Sequence, residues 1–301
     1  MSGSKRLEGD RFVIEWGSAL YPESLAKISR PPKRLYGIGD PAALQPGLAV
    51  IGARKATPYG EGCARRFARI AAEKGVVIIS GGARGCDSEA HRAALSVACR
   101  TVAFLGGGCD ELYPPEHFTL FQRIVDAGGA VVSEQSWDVP PLPYMFRERN
   151  RLIAGLAQAV LIVEAGLPSG TFSTADEALD AGREVLVVPG SITSPVSHGS
   201  NHLLFQGATP IIDDESFEEA LFRVFGLLKR PLEPENQVKL HPIVEAVRAE
   251  PCGMDELYGL AVSSFGPEEA QARLMELLVE AEASGMIARH PGGKWGPSMK
   301  Q

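Results

Sequence analysis

Six short apolar runs recur through the middle of the chain, and they constrain its fold more than any other feature. Each run is rich in Val, Ile and Leu and lacks the alternation of polar and apolar residues that marks a half-buried strand. This pattern predicts strands that are buried on both faces of a parallel sheet. The runs lie at residues 48–52, 76–80, 101–106, 130–134, 159–164 and 184–190.

Helix-like stretches separate these runs, so strand and helix alternate along the chain. The stretches span residues 60–74, 88–98, 116–127, 149–157 and 173–181. This alternation predicts an α/β fold in which right-handed crossovers connect the strands of a parallel sheet. Because ligands of such sheets bind at the carboxyl ends of the strands, we expect the functional residues in the glycine-rich loops that follow them.

The 301 residues are sufficient for one large domain and one small domain. We predict a lead-in segment at 1–47 that packs onto an extended Rossmann-like domain at 48–228. A Pro-rich, polar stretch at 229–239 predicts a linker. Residues 240–301 contain three helix-like stretches and a Gly-Gly turn, which together predict a small winged-helix-like domain.

The chain is acidic, with a formal net charge of -7. A nucleic-acid site on such a protein must be a local cluster of Arg and Lys. Five scattered cysteines without a CxxC pair argue against a disulfide framework or a structural zinc site. The sequence shows no apolar segment of the membrane-spanning or signal-peptide type, so we expect a cytoplasmic protein that has no membrane partner and needs no cofactor.

The first candidate loop, residues 52–60, follows a predicted strand and opens a helix, so its backbone N–H groups would point toward an anion. It has neither the GxGxxG pattern of dinucleotide-binding proteins nor the GxxxxGK[ST] pattern of a P-loop. Arg54 and Lys55 add positive charge at this site. We predict phosphate binding here, with a solvated surface turn as the alternative.

The second candidate loop, residues 80–87, contains three glycines that permit positive φ and close approach of a ligand. We predict that Ser80 and the amide of Gly81 bind a phosphate, with Arg84 close by. Asp87 has a structural alternative as the N-cap of the following helix. Its i,i+4 spacing to a histidine does not indicate catalysis, because no nucleophile is spaced to complete a triad.

The third candidate segment carries three arginines and an asparagine close to a predicted helix N-terminus. Because cations oppose the helix dipole at that end, their concentration there indicates an anionic ligand. The segment also offers a ring on which a base could stack, and a plug in the core is the alternative role of that ring. The predicted ligands are Phe146, Arg147, Arg149, Asn150 and Arg151.

The fourth candidate loop follows the fifth apolar run and carries small hydroxyl residues at a helix start. We predict that Ser169, Gly170 and Thr174 bind phosphate, and capping of the helix by the same atoms is the alternative. Further along, His198 and His202 have the spacing of helical metal ligands. No third ligand accompanies them in the sequence, so we predict no metal site.

Taken together, these motifs resemble the DprA/Smf family of DNA-processing proteins over residues 48 to 212. Each motif alone is weakly specific, but six of them occur in the same order and with similar spacing. They are GARKATPYG, SGGARGCDSEAH, the Tyr113-Pro114 pair, RERNRLIAGL, SGTFSTADEALDAGREVLVVPGS and GSNHLLFQGA.

The resemblance implies an extended Rossmann-like fold that binds single-stranded DNA, usually as a homodimer. It also implies a role in natural transformation, in which the protein receives incoming single strands and helps load the recombinase RecA onto them, with no catalytic reaction and no cofactor. The family's DNA contacts correspond here to Gly52, Arg54, Ser80, Gly81, Phe146, Arg149, Asn150 and Arg151.

The sequence departs from the family pattern at several positions. Arg147 stands where the motif has Pro, which suggests an added phosphate contact, and Ala53 and Cys86 replace a Ser/Thr and an Ile. Residues 231–301 hold six Lys and Arg against eleven Asp and Glu, whereas a winged helix that reads DNA is normally basic. We therefore expect the C-terminal unit to contact protein, or a partner subunit, rather than DNA.

Two other functions stay open at this point. Nucleotide phosphoribohydrolases share the broad fold and carry a PGGxGTxxE signature. The corresponding stretch here, PSGTFSTADEA at 168–178, lacks the second Gly, and its Glu177 falls too late. The other alternative is a nucleotide sensor without a DNA role, which a thermal shift caused by nucleotides but not by oligonucleotides would identify.

Overall fold

In a computed structural model of the chain, the described residues are 6–167, 170–227, 241–284, 286–290 and 292–297. They divide between two compact units, Met1–Lys229 and Arg230–Gln301. The predicted linker at 229–239 lies outside the described residues.

Nine strands form one sheet in the described part of the first unit, in the order β1-β2-β6-β5-β4-β3-β7-β8-β9. All neighbouring pairs from β6 to β9 are parallel, whereas β1 and β2 are antiparallel additions at one edge. The strands are β1 (Arg11–Glu15), β2 (Arg34–Gly39), β3 (Gly47–Ile51), β4 (Ile78–Ser80), β5 (Thr101–Phe104), β6 (Ala130–Ser133), β7 (Ala157–Ile162), β8 (Glu184–Val187) and β9 (Thr209–Pro210).

Helices connect the strands and cover both faces of the sheet. The helices of this unit are α1 (Glu23–Ala26), α2 (Pro58–Glu73), α3 (Cys86–Ser96), α4 (Phe118–Asp126), α5 (Pro143–Leu156), α6 (Thr171–Asp180), α7 (His198–Phe205) and α8 (Asp214–Phe225). Short 3-10 helices lie at Pro41–Ala43, Pro115–His117 and Pro195–Ser197.

The central strand β3 shows why the apolar runs are unbroken. Leu48 and Val50 pack into a core shared with α2, α3 and α8, whereas Ala49 and Ile51 pack into a second core shared with α5 and α6. Every residue of β3 is buried. Because both faces of such a strand are covered, each position favours an apolar side chain. The predicted α/β fold with a mostly parallel sheet is confirmed.

The chain leaves β3 in one direction along the sheet and returns beside it with β7. The strands β4, β5 and β6 lie on one side of β3, and β7, β8 and β9 lie on the other. This reversal opens a crevice between the loops that follow β3 and β7, which is where open α/β sheets bind ligands.

Residues of the predicted lead-in at 1–47 form β1 and β2. β2 pairs with β6 and β1 pairs with β2, so this segment extends the sheet beyond its parallel part. β1 exposes Val13 and buries Ile14, because a strand at the edge of this sheet is covered on one face only. Its alternating pattern therefore differs from the continuous runs by which the other strands were predicted.

α5 begins at Pro143, six residues before the predicted start at 149. Pro is favoured at the first helical position because its fixed φ suits the helix and its missing N–H needs no partner there. The arginine-rich segment therefore lies within the helix, one turn or more beyond its N-terminus. The helix-dipole argument for an anionic ligand does not hold for this segment, and the faces of α5 decide the role of each arginine.

The second unit is built from three helices and a hairpin within its described residues. These elements are α9 (Pro242–Ala249), α10 (Met254–Phe265), α11 (Ala270–Ala283), β10 (Ile287–His290) and β11 (Lys294–Pro297). Their core contains Val247, Leu257 and Leu278. Gly292 and Gly293 have φ of 79° and 73°, so both adopt the left-handed conformation that glycine favours in a tight turn. The winged-helix class of this unit stays a prediction.

Candidate nucleic-acid interface

A cleft of about 330 Å³ opens at the crevice between the loops after β3 and β7. The loops after β3 and β4 contribute one wall, and α5 and the start of α6 contribute the other. Several of the predicted ligands meet in this cleft. They are Gly52, Arg54, Phe146, Arg147, Arg149, Asn150, Gly170 and Thr174.

Gly52 lets the loop after β3 pass close to α3. A Cβ at this position would come within 2.6 Å of the Cys86 sulfur, so any other residue would displace the loop. Arg54 and Lys55 follow on the exposed part of the same loop. Neither forms an ion pair with another residue in the described part of the chain, and both charges are therefore available to a ligand.

Phe146 projects from α5 into the cleft and is half-buried. The Arg54 guanidinium lies 5.1 Å from the centre of its ring, and Tyr113 meets it edge-on at 5.4 Å. The ring is therefore positioned by its neighbours and still borders open space. Arg147, the next residue, is exposed on the same wall and forms no ion pair with the described residues.

Arg149 is the buried cation of the cleft, with only 4% of its surface exposed. One Nη donates to the carbonyl of Phe104 at 2.5 Å, and the Nε atom has no hydrogen-bond partner among the described residues. Burial lowers the pKa of Arg149 to about 10, an effect that Asp87 opposes and the positive charge of Arg54 adds to. The group therefore stays protonated at neutral pH, as a fixed charge with a free donor beside the cleft.

Asp87 occupies the position at which the second loop was predicted to bind a phosphate. The amides of Gly81 and Ala83 donate to its carboxylate at 3.1 and 3.3 Å. Burial raises the pKa of Asp87, and Arg149 and these two amides act in the opposite direction. The helix is capped by Gly85, so Asp87 is not the N-cap. The amide of Gly81 is therefore already satisfied by the protein's own anion.

Glu164 accepts hydrogen bonds from the first loop, as Asp87 does from the second. Its carboxylate accepts from the backbone N–H of Thr57 at 2.9 Å and from the Thr57 hydroxyl at 2.5 Å. Thr57 is the N-cap of α2, so an internal carboxylate lies at the helix N-terminus where a phosphate was expected. Sequence reasoning missed Glu164, although an acidic residue at the end of the apolar run 159–164 was a usable signal.

Ser80 and Arg151 are predicted ligands whose side chains do not reach the cleft. The side chain of Ser80 is fully buried, and its hydroxyl donates to the carbonyl of Val50 in the neighbouring strand β3 at 2.6 Å. Arg151 is buried one helical turn beyond Arg147 and forms two hydrogen bonds with Glu134, at 2.9 and 2.6 Å. The assignment of both residues as cleft ligands is therefore corrected, because their polar atoms are used inside the fold.

A smaller depression continues from the cleft past Phe146 and Arg149. It is lined by Gly81 and Arg84 among other residues. Arg84 is exposed, but it forms an ion pair with Glu116. Its charge is thus partly neutralised, in contrast to that of Arg54.

The fourth predicted loop joins the opposite wall of the cleft. Gly170 is the N-cap of α6, and its carbonyl accepts from the side-chain amide of Asn150 at 3.2 Å. Thr174 is buried and lines the cleft from the first turns of α6. Ser169 lies outside the described residues.

Glu177, the acidic residue that the phosphoribohydrolase alternative requires, does not line the cleft. It pairs with Arg30 at 3.2 Å. Among the described residues, no group of three or more His, Cys, Asp or Glu side chains is placed to hold a metal ion. No helix in the described part of the chain combines the length and the apolar character needed to cross a membrane.

Comparison with known proteins gives one consistent result. The family of DNA recombination-mediator protein A matches residues 12–222. The chain is 39% identical to protein Smf of Escherichia coli over 289 residues, which cover 94% of this chain and 77% of that protein.

Two solved structures are also similar. DNA processing protein A from Helicobacter pylori, whose structure concerns its single-stranded-DNA-binding mode, superposes with a TM-score of 0.66 at 32% identity and covers 73% of this chain and 99% of that one. DNA processing protein A from Streptococcus pneumoniae gives a TM-score of 0.63 at 34% identity and covers 68% of this chain and 72% of that one.

Proposed function

The chain belongs to the DNA recombination-mediator protein A family, DprA/Smf, and on that premise we propose that it binds single-stranded DNA without acting on it chemically. The observation that carries the proposal is the group of cations around the cleft. Arg54 and Arg147 line the cleft, are exposed and form no ion pair with the described residues, while Arg149 is buried beside them. Lys55, next to Arg54 in the sequence, is also exposed and forms no ion pair with the described residues. Such a cluster on an acidic protein fits a local polyanion site.

The DNA backbone would be held by side chains more than by loop amides. Glu164 and Asp87 already accept hydrogen bonds from the loops after β3 and β4, so the phosphates are left to the arginines and Lys55. Phe146 offers a ring for base stacking, and any base has a π-face that can stack on it. We therefore infer weak sequence preference and strong dependence of affinity on salt.

We also propose that two copies of the chain form the functional unit. β9 is the outer strand of the sheet, and two apolar side chains flank it in sequence: Phe205 is 88% exposed and Ile212 is 71% exposed. Exposed apolar side chains beside an open sheet edge are typical of an interface. A dimer formed there would present two clefts to one DNA strand.

The setting we propose is DNA uptake in the cytoplasm, where the protein would help load RecA recombinase onto the bound strand. The family resemblance supports this role, and the five free cysteines fit a reducing compartment. RecA ATPase activity on single-stranded DNA already covered by another single-strand-binding protein tests the loading step. Addition of this protein should shorten the lag before ATP hydrolysis begins, and an unchanged lag would argue against loading.

The binding proposal is tested by fluorescence anisotropy with a labelled poly-dT oligonucleotide at low and moderate salt. The double variant Arg54→Ala/Arg147→Ala removes two cleft cations. The matched control Arg65→Ala/Arg69→Ala removes two exposed arginines of α2 that are paired with Glu89 and Glu73. A duplex of equal length reports on strand selectivity.

We expect the cleft variant to bind poly-dT at least about tenfold more weakly, with the salt slope reduced by about 0.7 for each lost phosphate contact. The control variant should stay close to the wild type. Equal losses in both variants would mean that only overall charge matters. No poly-dT binding by the wild type at low salt would refute the proposal.

A further inference from the structure

Helix α11 of the second unit has two apolar faces. One face packs into the core of that unit through Ala270, Leu274, Leu278 and Ala281. The opposite face is also apolar: Met275 is 40% exposed and Val279 is 52% exposed, and the exposed Ala272 and Ala283 extend the line at both ends. The spacing of three, four and four residues keeps these side chains on one stripe of the helix.

Carboxylates line one flank of this stripe. At 100° per residue, Glu276 and Glu280 lie along that flank, and Glu282 lies along the other, where it pairs with Arg289 at 3.5 Å. The single cation of α11 is Arg273, and it pairs with Glu269 at 3.6 Å and Glu276 at 3.1 Å. The outward face is therefore an apolar line with a negative border on the flank of Glu276 and Glu280, which we call the α11 surface.

This chemistry excludes two kinds of partner. Duplex or single-stranded DNA would bring phosphates against the glutamates with no free cation of α11 to offset the repulsion. A second copy of the same surface, packed antiparallel, would bring the flank of Glu276 and Glu280 against itself, because a two-fold interface matches a surface with itself. Like charges placed opposite each other disfavour both complexes.

We propose that the α11 surface binds an amphipathic helix of another protein, one that presents an apolar stripe beside a row of Lys or Arg. The apolar line of such a helix covers Met275 and Val279, and its cations meet Glu276 and Glu280. This is the arrangement by which helix pairs combine an apolar seam with charge pairs that set partner choice.

The test uses the full chain and a labelled helical peptide of Leu, Ala and Lys in a heptad pattern, measured by fluorescence anisotropy at moderate salt. A peptide of the same composition in scrambled order lacks the apolar stripe but keeps the charge. The variant Glu276→Lys/Glu280→Lys reverses one flank of the surface. The matched control Glu215→Lys/Glu219→Lys reverses two exposed glutamates at the same spacing on α8 of the first unit.

The ordered peptide should bind the wild type at least about tenfold more tightly than the scrambled peptide. Glu276→Lys/Glu280→Lys should bind the ordered peptide about tenfold more weakly than the wild type, whereas the α8 control should keep the wild-type affinity. Val279→Asp should weaken binding of the ordered peptide by a similar factor, because it places a charge in the apolar stripe. Equal binding of both peptides, or equal losses in both charge variants, would overturn the proposal in favour of general attraction to an acidic protein. Binding of duplex DNA that Glu276→Ala/Glu280→Ala strengthens, or dissociation of a dimer by Val279→Asp, would overturn it in favour of another occupant.

Discussion

Glu164 and Thr57 are joined by two hydrogen bonds, from the Thr57 backbone N–H at 2.9 Å and from its hydroxyl at 2.5 Å. The pair connects the loop after β7 with the loop after β3 and places a buried carboxylate at the N-terminus of α2. A Cβ at Gly60 would collide with that carboxylate, so the first turn of α2 is fitted around it. The bonds therefore hold the two sides of the crevice at a fixed separation.

Glu164→Gln should lower the free energy of unfolding by about 1–2 kcal/mol, because a charge-assisted pair of hydrogen bonds becomes weaker and one amide donor faces the Thr57 hydroxyl. Urea denaturation measures the change. Glu73→Gln, which removes a surface i,i+4 pair with Arg69, should cost less than about 0.5 kcal/mol. Similar losses in the two variants would show that Glu164 contributes no more than a surface charge.

Phe146→Ala should weaken poly-dT binding by about 1–3 kcal/mol, the contribution of one base stacked on an aromatic ring. Phe146→Trp keeps a stacking surface and should bind nearly as the wild type does. Phe146→Leu keeps much of the apolar volume without the π-face and should resemble the alanine variant. Anisotropy titrations give all three affinities, and a leucine variant equal to the wild type would argue that the ring is only a plug.

Arg147 and Arg151 lie one turn apart on α5, and we expect opposite consequences from their removal. Arg147→Ala should reduce the salt slope of poly-dT binding by about 0.7 and change stability by less than about 0.5 kcal/mol. Arg151→Ala should cost about 3 kcal/mol of stability, because it leaves the carboxylate of Glu134 without its partner. The DNA affinity of Arg151→Ala, measured under conditions in which the variant is folded, should stay near that of the wild type.

The measurements for this pair are urea denaturation and anisotropy on both variants. The expectation fails if Arg151→Ala is as stable as the wild type but binds DNA poorly. In that case Arg151 would leave Glu134 to reach the ligand.

His91 gives the stability of the fold a dependence on pH. Its Nδ1 lies 2.7 Å from the Thr101 hydroxyl, whose own proton goes to the carbonyl of Ile78 at 2.7 Å. Nδ1 is therefore the donor, and Nε2 is buried without a partner in the described part of the molecule. Protonation would add a buried charge there, and burial lowers the pKa of His91 to about 3.

Because an unfolded histidine has a pKa of about 6.5, the unfolded state binds the proton first as pH falls. The contribution of His91 is complete above about pH 6.5 and is lost toward about pH 3, by up to about 1.4 kcal/mol per unit. His91→Gln should flatten the fall in unfolding free energy between about pH 6.5 and 5 in urea denaturation. His198→Gln, at an exposed position, should leave this fall in unfolding free energy unchanged. An equal dependence of unfolding free energy on pH in the wild type and both variants would contradict the role given to His91.

Ile212→Glu should convert the proposed dimer to monomers, because it places a charge among apolar side chains at the β9 edge. Sedimentation velocity measures the change. Val13→Glu introduces the same charge at the opposite edge of the sheet, where Val13 is 47% exposed, and should leave the dimer intact. A wild-type protein that is monomeric at micromolar concentration would refute the dimer proposal, and dissociation by Val13→Glu alone would move the interface to β1.

The sequence predicted the parallel strands because each of them is covered on both faces and so favours an unbroken apolar run. It predicted neither the edge strand β1 nor the start of α5. β1 alternates because one of its faces is open, and the start of α5 depended on Pro143, a local signal that was available but not used.

The sequence by itself determined the α/β alternation, the loops that form the cleft and the resemblance to a DNA-processing family, since all three depend on residue type and spacing along the chain. Only the tertiary structure decided which polar groups remain free for a ligand. Glu164 and Asp87 satisfy loop amides, and Arg151 is bound to Glu134. Whether a polar atom is free depends on which distant atoms the fold brings within hydrogen-bond distance, and spacing within one segment carries no information about that.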